Sequence, residues 1–143
     1  MPTIILETII HARAEKCFDL IRDERIQTEP LPAIFGDFGI GQTVTFKINN
    51  FGVERSMTVN VVELERPTIF VDEMTEGFFK SFKHIHEFLP VEDGTLMKDT
   101  IVWKSPLGIL GRMADRLFIE KHLTQIVTTR NSKLKELAEA SRS

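Results

Sequence analysis

From Thr43 to Lys104 the chain reads as a series of strand-like segments joined by short connections, and after Ser105-Pro106 its apolar residues take up helical spacing to about Ala138. This change of period constrains the fold more than any other feature. A parallel strand pair needs a dozen or more residues to return the chain, so neighbours joined this closely run antiparallel. The segments are Thr43 to Ile48, Ser56 to Leu64, Ile69 to Met74 opened by Pro67, Phe79 to Leu89 and Thr95 to Lys104. Ahead of them Thr3 to Ile10, rich in β-branched residues, reads as a first strand. Ala14 to Arg22 places Cys17, Phe18, Leu20 and Ile21 at helical spacing, and Pro30 and Pro32 stop any continuation.

The helical end begins well, with Ser105 as cap and Pro106 as first helical residue. Unbroken from Arg112 to Ala138 it would be roughly 40 Å long, more than a small domain needs from one rod. Its apolar stripe also changes direction. Leu110, Met113, Leu117 and Phe118 mark one face, whereas Ile119, Leu123, Ile126, Val127, Leu134 and Leu137 mark another. Either the helix kinks near Phe118 or its first part is a separate short helix. The long second part has only the sheet to cover.

The run Phe-Lys-His-Ile-His-Glu-Phe, residues 82 to 88, puts Phe82, His84, His86 and Phe88 on one side of a strand. A two-residue loop within Val-Glu-Asp-Gly-Thr, 91 to 95, sets even residues of this strand against odd residues of the next. Met97, Asp99, Ile101 and Trp103 then share the histidine face, while Ser81, Lys83, Ile85, Glu87, Leu96, Lys98, Thr100 and Val102 share the other. The second set suits water better, so the histidine face is the inner one. A carboxylate there must be paired, protonated or wet. Arg130, in the middle of the second helical stripe, is the residue expected to reach an inward carboxylate.

Composition narrows the function. The 143 residues fit one domain, 1–143, and a formal charge of −3 offers no general attraction to nucleic acid. Met-Pro-Thr-Ile-Ile-Leu-Glu has no basic start and Glu7 breaks its apolar run, so neither a signal peptide nor stable membrane insertion is expected. Cys17 is the single cysteine, which suits the cytoplasm. Phe-Gly-Asp-Phe-Gly-Ile-Gly-Gln, 35 to 42, lacks the Gly-Lys-Ser/Thr ending of a phosphate loop, and no cofactor is expected. His84 and His86 with Asp99 would give three metal ligands, but His11 and His122 belong to other elements and no cysteine is near, so no metal is expected either. The residues leave three readings of the pair open: hydrogen-bonded core histidines, polar spots in an apolar pocket, or an Asp-oriented proton-transfer centre.

A strand, a short helical connection, antiparallel strands and a long last helix follow the order of the helix-grip fold. The run Phe-Val-Asp-Glu-Met-Thr-Glu-Gly-Phe-Phe-Lys-Ser-Phe-Lys-His-Ile-His-Glu-Phe, 70 to 88, makes the likeness specific, together with Gly94 to Asp99, Pro106-Leu107-Gly108 and Leu110-Gly111-Arg112. Over nearly the whole chain the sequence resembles bacterial members of the START-like (SRPBCC) superfamily, which includes birch-pollen allergen proteins and polyketide cyclase/dehydrase-like proteins. Where such sequences often carry Gly-Pro-Phe, this one has Gly77-Phe78-Phe79. The resemblance implies an α+β fold, a curved antiparallel sheet wrapped around the C-terminal helix with a hydrophobic cavity between them. It implies no shared catalytic residue. Asp72, His84, His86 and Asp99 match its motif and are inward-facing on that ground too.

The leading expectation is a binding protein for a small hydrophobic molecule such as a lipid, polyketide or isoprenoid. Phe46, Phe70, Met74, Phe82, Phe88, Met97, Ile101 and Trp103 would line the cavity, and Asp72, His84, His86, Asp99 and Arg130 would orient a polar end. The alternative is a cyclase or dehydratase in which His84 or His86, with Asp99, moves a proton. A third is a protein-interaction module with an apolar patch on the outer face and no cavity. Oligomeric state is not legible.

Overall fold

Six strands form one antiparallel sheet: β1 (Thr3–Ile10), β2 (Thr43–Asn50), β3 (Val53–Glu65), β4 (Ile69–Glu76), β5 (Ser81–Val91) and β6 (Gly94–Lys104), in the order β1-β6-β5-β4-β3-β2. Among the described residues it is accompanied by the helices α1 (Ala14–Leu20) and α2 (Glu120–Ala140). The computed structural model describes residues 2–21, 43–50, 53–77, 79–105, 108, 113 and 118–140, with backbone alone along 43–50 and 53–57. Pro30, Pro32, the 35–42 loop, Phe78, Pro106, Leu110, Leu117 and the side chain of Phe46 lie outside this set. No helix among the described residues is long and apolar enough to cross a membrane.

The strands after β1 meet their sequence neighbours, as short connections require. β3 slips register against β4 at Thr58/Val59 and at Val61/Glu63. Such bulges bend a strand and raise its twist, and they curve this part of the sheet. A two-residue connection, Glu92-Asp93, joins β5 to β6, with Val91 paired to Gly94 and Asp93 in the left-handed region at φ 64°. Aspartate tolerates that conformation better than most residues. Gly94 answers a different demand. A Cβ there would fall against the Ile10 carbonyl oxygen, where β1 passes close by.

This turn fixes the expected parity: Phe82 pairs with Trp103, His84 with Ile101, His86 with Asp99 and Phe88 with Met97. The outer face carries the rows Ile9–Leu96–Leu89 and Ile5–Thr100–Ile85, separated by Glu7–Lys98–Glu87. The charged row keeps the exposed Ile5, Ile9 and Leu89 from merging into one apolar patch.

The inner face holds two apolar clusters. One gathers Ile10, Cys17, Phe18, Phe70, Phe88, Met97, Leu134 and Ala138, with Phe18 edge-on to Phe70 and Phe88. The other gathers Ile4, Phe79, Ile101, Trp103, Ile119 and Val127, flanked by half-buried Leu6, Met74, Phe82 and Leu123. α2 contributes to both. It follows a wide π-type turn at Phe118–Ile119 and buries Ile126, Val127, Arg130, Asn131, Leu134 and Ala138. Its C-terminal end is tied to β1, where the Lys135 ammonium donates to the Ile9 carbonyl at 2.6 Å and the Glu139 carboxylate accepts the His11 N–H at 2.8 Å. Arg66, in the β3–β4 turn, holds Asp19 of α1 through two hydrogen bonds of 2.9 and 2.8 Å.

Candidate functional site

Along β6 the buried inward residues are Met97, Asp99, Ile101 and Trp103, and the two clusters divide between Met97 and Ile101. Along α2 they divide between Val127 and Leu134. The gap on both elements is filled by polar groups: Asp99 on the strand, Arg130 and Asn131 on the helix. A layer of charge therefore separates two apolar regions.

Asp99, 1 % exposed, is its centre. Its Oδ1 accepts from Arg130 Nη2 at 2.8 Å and from His84 Nε2 at 2.7 Å, and its Oδ2 accepts from Asn131 Nδ2 at 2.7 Å. Arg130 also donates from Nη2 to Asn131 Oδ1 at 3.0 Å, which orients the amide so that its NH2 faces Asp99. Burial alone would raise the Asp99 carboxyl, but the Arg130 guanidinium and the His84 hydrogen bond hold it well below the usual carboxylate range. A hydrogen-bonded, paired charge is the form in which a buried carboxylate is tolerated.

The histidines are held as tightly. His84 and His86 stack with ring centroids 3.6 Å apart, and His86 stacks on Phe70 at 3.8 Å. His86 Nε2 lies 3.1 Å from Asp72 Oδ2, across the β4–β5 pair. Its Nδ1 lies 3.4 Å from Asp99 Oδ1 without the geometry of a hydrogen bond and has no hydrogen-bond partner among the described residues. His84 is pushed down to about 4, first by burial and then by the neighbouring His86, against the opposing pull of Asp99. It is therefore neutral near pH 7, with Nε2–H turned to the Asp99 carboxylate and a lone pair on its other nitrogen.

Of the residues expected inside, Phe70, Phe88, Met97, Ile101 and Trp103 are fully enclosed in the apolar clusters, while Met74 and Phe82 are half-buried at their border. Asp72, His84, His86, Asp99 and Arg130 come together in the polar layer. Asn131 is the member that the sequence reading missed. Its signal was present: 127, 130, 131, 134 and 138 form a helical stripe, and the residue beside Arg130 falls on it. The sequence also weighed Asp99 as the third ligand of a histidine metal site, whereas the structure commits Asp99 to Arg130 and Asn131 and brings Asp72 beside the imidazoles instead. A separate open depression of about 980 Å³ lies at the β1–α1 connection and the β5–β6 turn, among His11, Arg13, Lys16 and Asp93, and is lined by none of Asp72, His84, His86, Asp99, Arg130 and Asn131.

No family model matches the sequence, and no curated protein matches it. Solved structures do. TTHA0849 from Thermus thermophilus superposes with a TM-score of 0.80 at 20% identity, covering 99% of this chain and 100% of that one. Ara h 8.0201 gives 0.71 at 10% identity over 98% and 99% of the two chains. The major latex-like protein 151 from Panax ginseng gives 0.69 at 12% identity over 96% and 97%. This chain has the START-like, helix-grip fold. At these identities the likeness carries the architecture, a curved antiparallel sheet and a C-terminal helix, and no chemistry.

Proposed function

We propose that this protein binds a small hydrophobic molecule, of the lipid, polyketide or isoprenoid class, between the inner face of the sheet and α2. The observation that carries the reading is the border of the polar layer. Met74, Phe82 and Leu123 are half-buried apolar side chains packed against the Ile101–Trp103 cluster, and Ile101 is the cross-strand partner of the neutral His84, so an apolar body and a polar tip would both find contacts there. The enclosed Phe88, Met97, Ile101 and Trp103 form the rigid wall behind them. The formal charge of −3 disfavours nucleic acid as a partner, and the lone buried Cys17 suits a reducing, cytoplasmic setting.

One observation favours a second reading. His84 is oriented by a carboxylate on one nitrogen with the other left to exchange a proton, so a cyclase- or dehydratase-type reaction would use it for proton transfer, with burial keeping it a weak base. One experiment separates the two. Native mass spectrometry of the purified chain is expected to show a co-purifying molecule of a few hundred daltons (about the size such pockets enclose), released on denaturation. Phe82→Asp, which puts a charge on the apolar border, is expected to abolish retention, and His84→Gln to weaken it. An unmodified retained compound supports binding alone. A compound that wild-type protein converts and the His84→Gln variant does not would replace that reading with catalysis.

A further inference from the structure

The tautomers of His86 present a problem that hydrogen bonding among the described residues does not solve. Its Nε2 faces Asp72 Oδ2 at 3.1 Å and its Nδ1 faces Asp99 Oδ1 at 3.4 Å. A neutral imidazole carries one proton, so in either tautomer a lone pair is directed at a carboxylate inside the protein. The side chain is only 3 % exposed, so water offers no ready relief. A second proton on the ring would turn an N–H toward each carboxylate but would place an imidazolium 3.6 Å from the stacked His84 ring.

We propose that Asp72, His84 and His86 form a binding site for a first-row divalent transition metal of the zinc or cobalt class. One ligand atom from each of the three residues lies within 4.8 Å of the other two. His86 Nε2 and Asp72 Oδ2, 3.1 Å apart, are spaced as two ligands of one such ion, whose bonds are about 2.0–2.2 Å long. A metal on Nε2 moves the ring proton to Nδ1, where it is turned toward Asp99 Oδ1, 3.4 Å away, and is drawn to that carboxylate by charge, in place of a lone pair that the carboxylate repels. His84 already turns Nε2–H to that same oxygen, which leaves its other nitrogen for the metal. Both imidazoles would then be oriented by one carboxylate, the arrangement that fixes tautomer and basicity in metal-ligating histidines. Asp99 is in turn held by Arg130 and Asn131 from α2, so a supporting shell is already in place.

Two histidines and one carboxylate leave coordination positions open for water or for a ligand carboxylate. Charge points the same way. Asp72, Asp99 and Arg130 sum to −1 with both imidazoles neutral, and a dication with one bound anion restores neutrality. The least enclosed members, Asp72 at 9 % and His84 at 6 % exposure, are the ones through which an ion would enter. This site does not depend on the apolar-ligand reading, since protein without any organic ligand would also bind the ion.

The test is titration of the chelator-stripped full chain with Zn²⁺ by calorimetry and with Co²⁺ by visible absorption. One ion per chain is expected, with nitrogen-and-oxygen coordination in the cobalt spectrum. Affinity is expected to fall by about a hundredfold in Asp72→Asn and His86→Gln, and by at least about tenfold in Asn131→Leu, which touches only the supporting shell. Failure of wild-type protein to bind stoichiometrically overturns the proposal, as does binding that Asp72→Asn and His86→Gln leave unchanged. Should His86→Gln fold poorly, judged by its far-ultraviolet circular dichroism, the wild-type and Asp72→Asn titrations decide alone.

Discussion

Asp99 shows how far single residues were legible. Its alternation with Met97, Ile101 and Trp103 placed a carboxylate on an apolar face, and electrostatics then demanded a partner. Arg130 was the one cation on the buried stripe of the last helix, and it does reach Asp99 at 2.8 Å. The second contact from α2, by Asn131, was less visible because a neutral amide announces no unpaired charge. Removing the cation tests whether the layer is held as described. Arg130→Met keeps much of the volume and leaves Asp99 buried against His84 and Asn131 only. A loss of about 3–5 kcal/mol is expected, the range for breaking a buried pair on one side. Urea denaturation measures it, and a change within experimental error would show that Asp99 does not need the guanidinium.

At the scale of elements, β5, β6 and their turn were the clearest part of the sequence. Period-two alternation on two adjacent runs and a two-residue loop leave one register that keeps polar and apolar faces apart, because a slip by one residue exchanges them. Gly94 looked like a turn residue only. Its position beside the Ile10 carbonyl depends on β1, more than eighty residues earlier, and no local pattern reports such an approach. Gly94→Ala therefore tests tertiary packing as much as turn conformation. It is expected to cost about 1–3 kcal/mol, as overpacking does, and to loosen the β1–β6 pairing. Thermal melting gives the cost, and hydrogen exchange at Ile9 and Ile10 locates it. The stripe of the last helix changes direction near Phe118, and a π-type turn at Phe118–Ile119 leads into α2.

For the whole molecule, the pairing of β1 with β6 and the separation of the inner face into two apolar clusters were not readable from periodicity. Both join residues far apart in the chain, and alternation specifies faces without specifying neighbours. What the resemblance supplied was the order of elements; what coordinates add is a charged layer through the middle of the protein. That layer makes global stability depend on pH, and the sign follows from its two shifted groups. His84 has an ordinary value of 6.5 and is pushed down to about 4, mainly by burial. Between those values the unfolded chain takes up a proton that the folded chain refuses, so folding weakens as pH falls, by up to about 1.4 kcal/mol per pH unit. Asp99 is held below its ordinary 3.8, so protonation of the unfolded chain below that value weakens folding further. Above about pH 6.5 neither group contributes a slope. The groups acting on His84 are His86 on β5, Asp99 on β6 and Asp72 on β4, with Arg130 of α2 on the far side of the shared Asp99 carboxylate. In chelator, the urea midpoint is expected to hold near neutral pH and to fall steadily from about pH 6.5 to about pH 4.5. His84→Gln is expected to flatten that segment while keeping the steeper loss at lower pH. A wild-type midpoint constant across the interval would mean that His84 accepts its proton in the folded protein, and the neutral, carboxylate-oriented imidazole on which both functional readings lean would be gone.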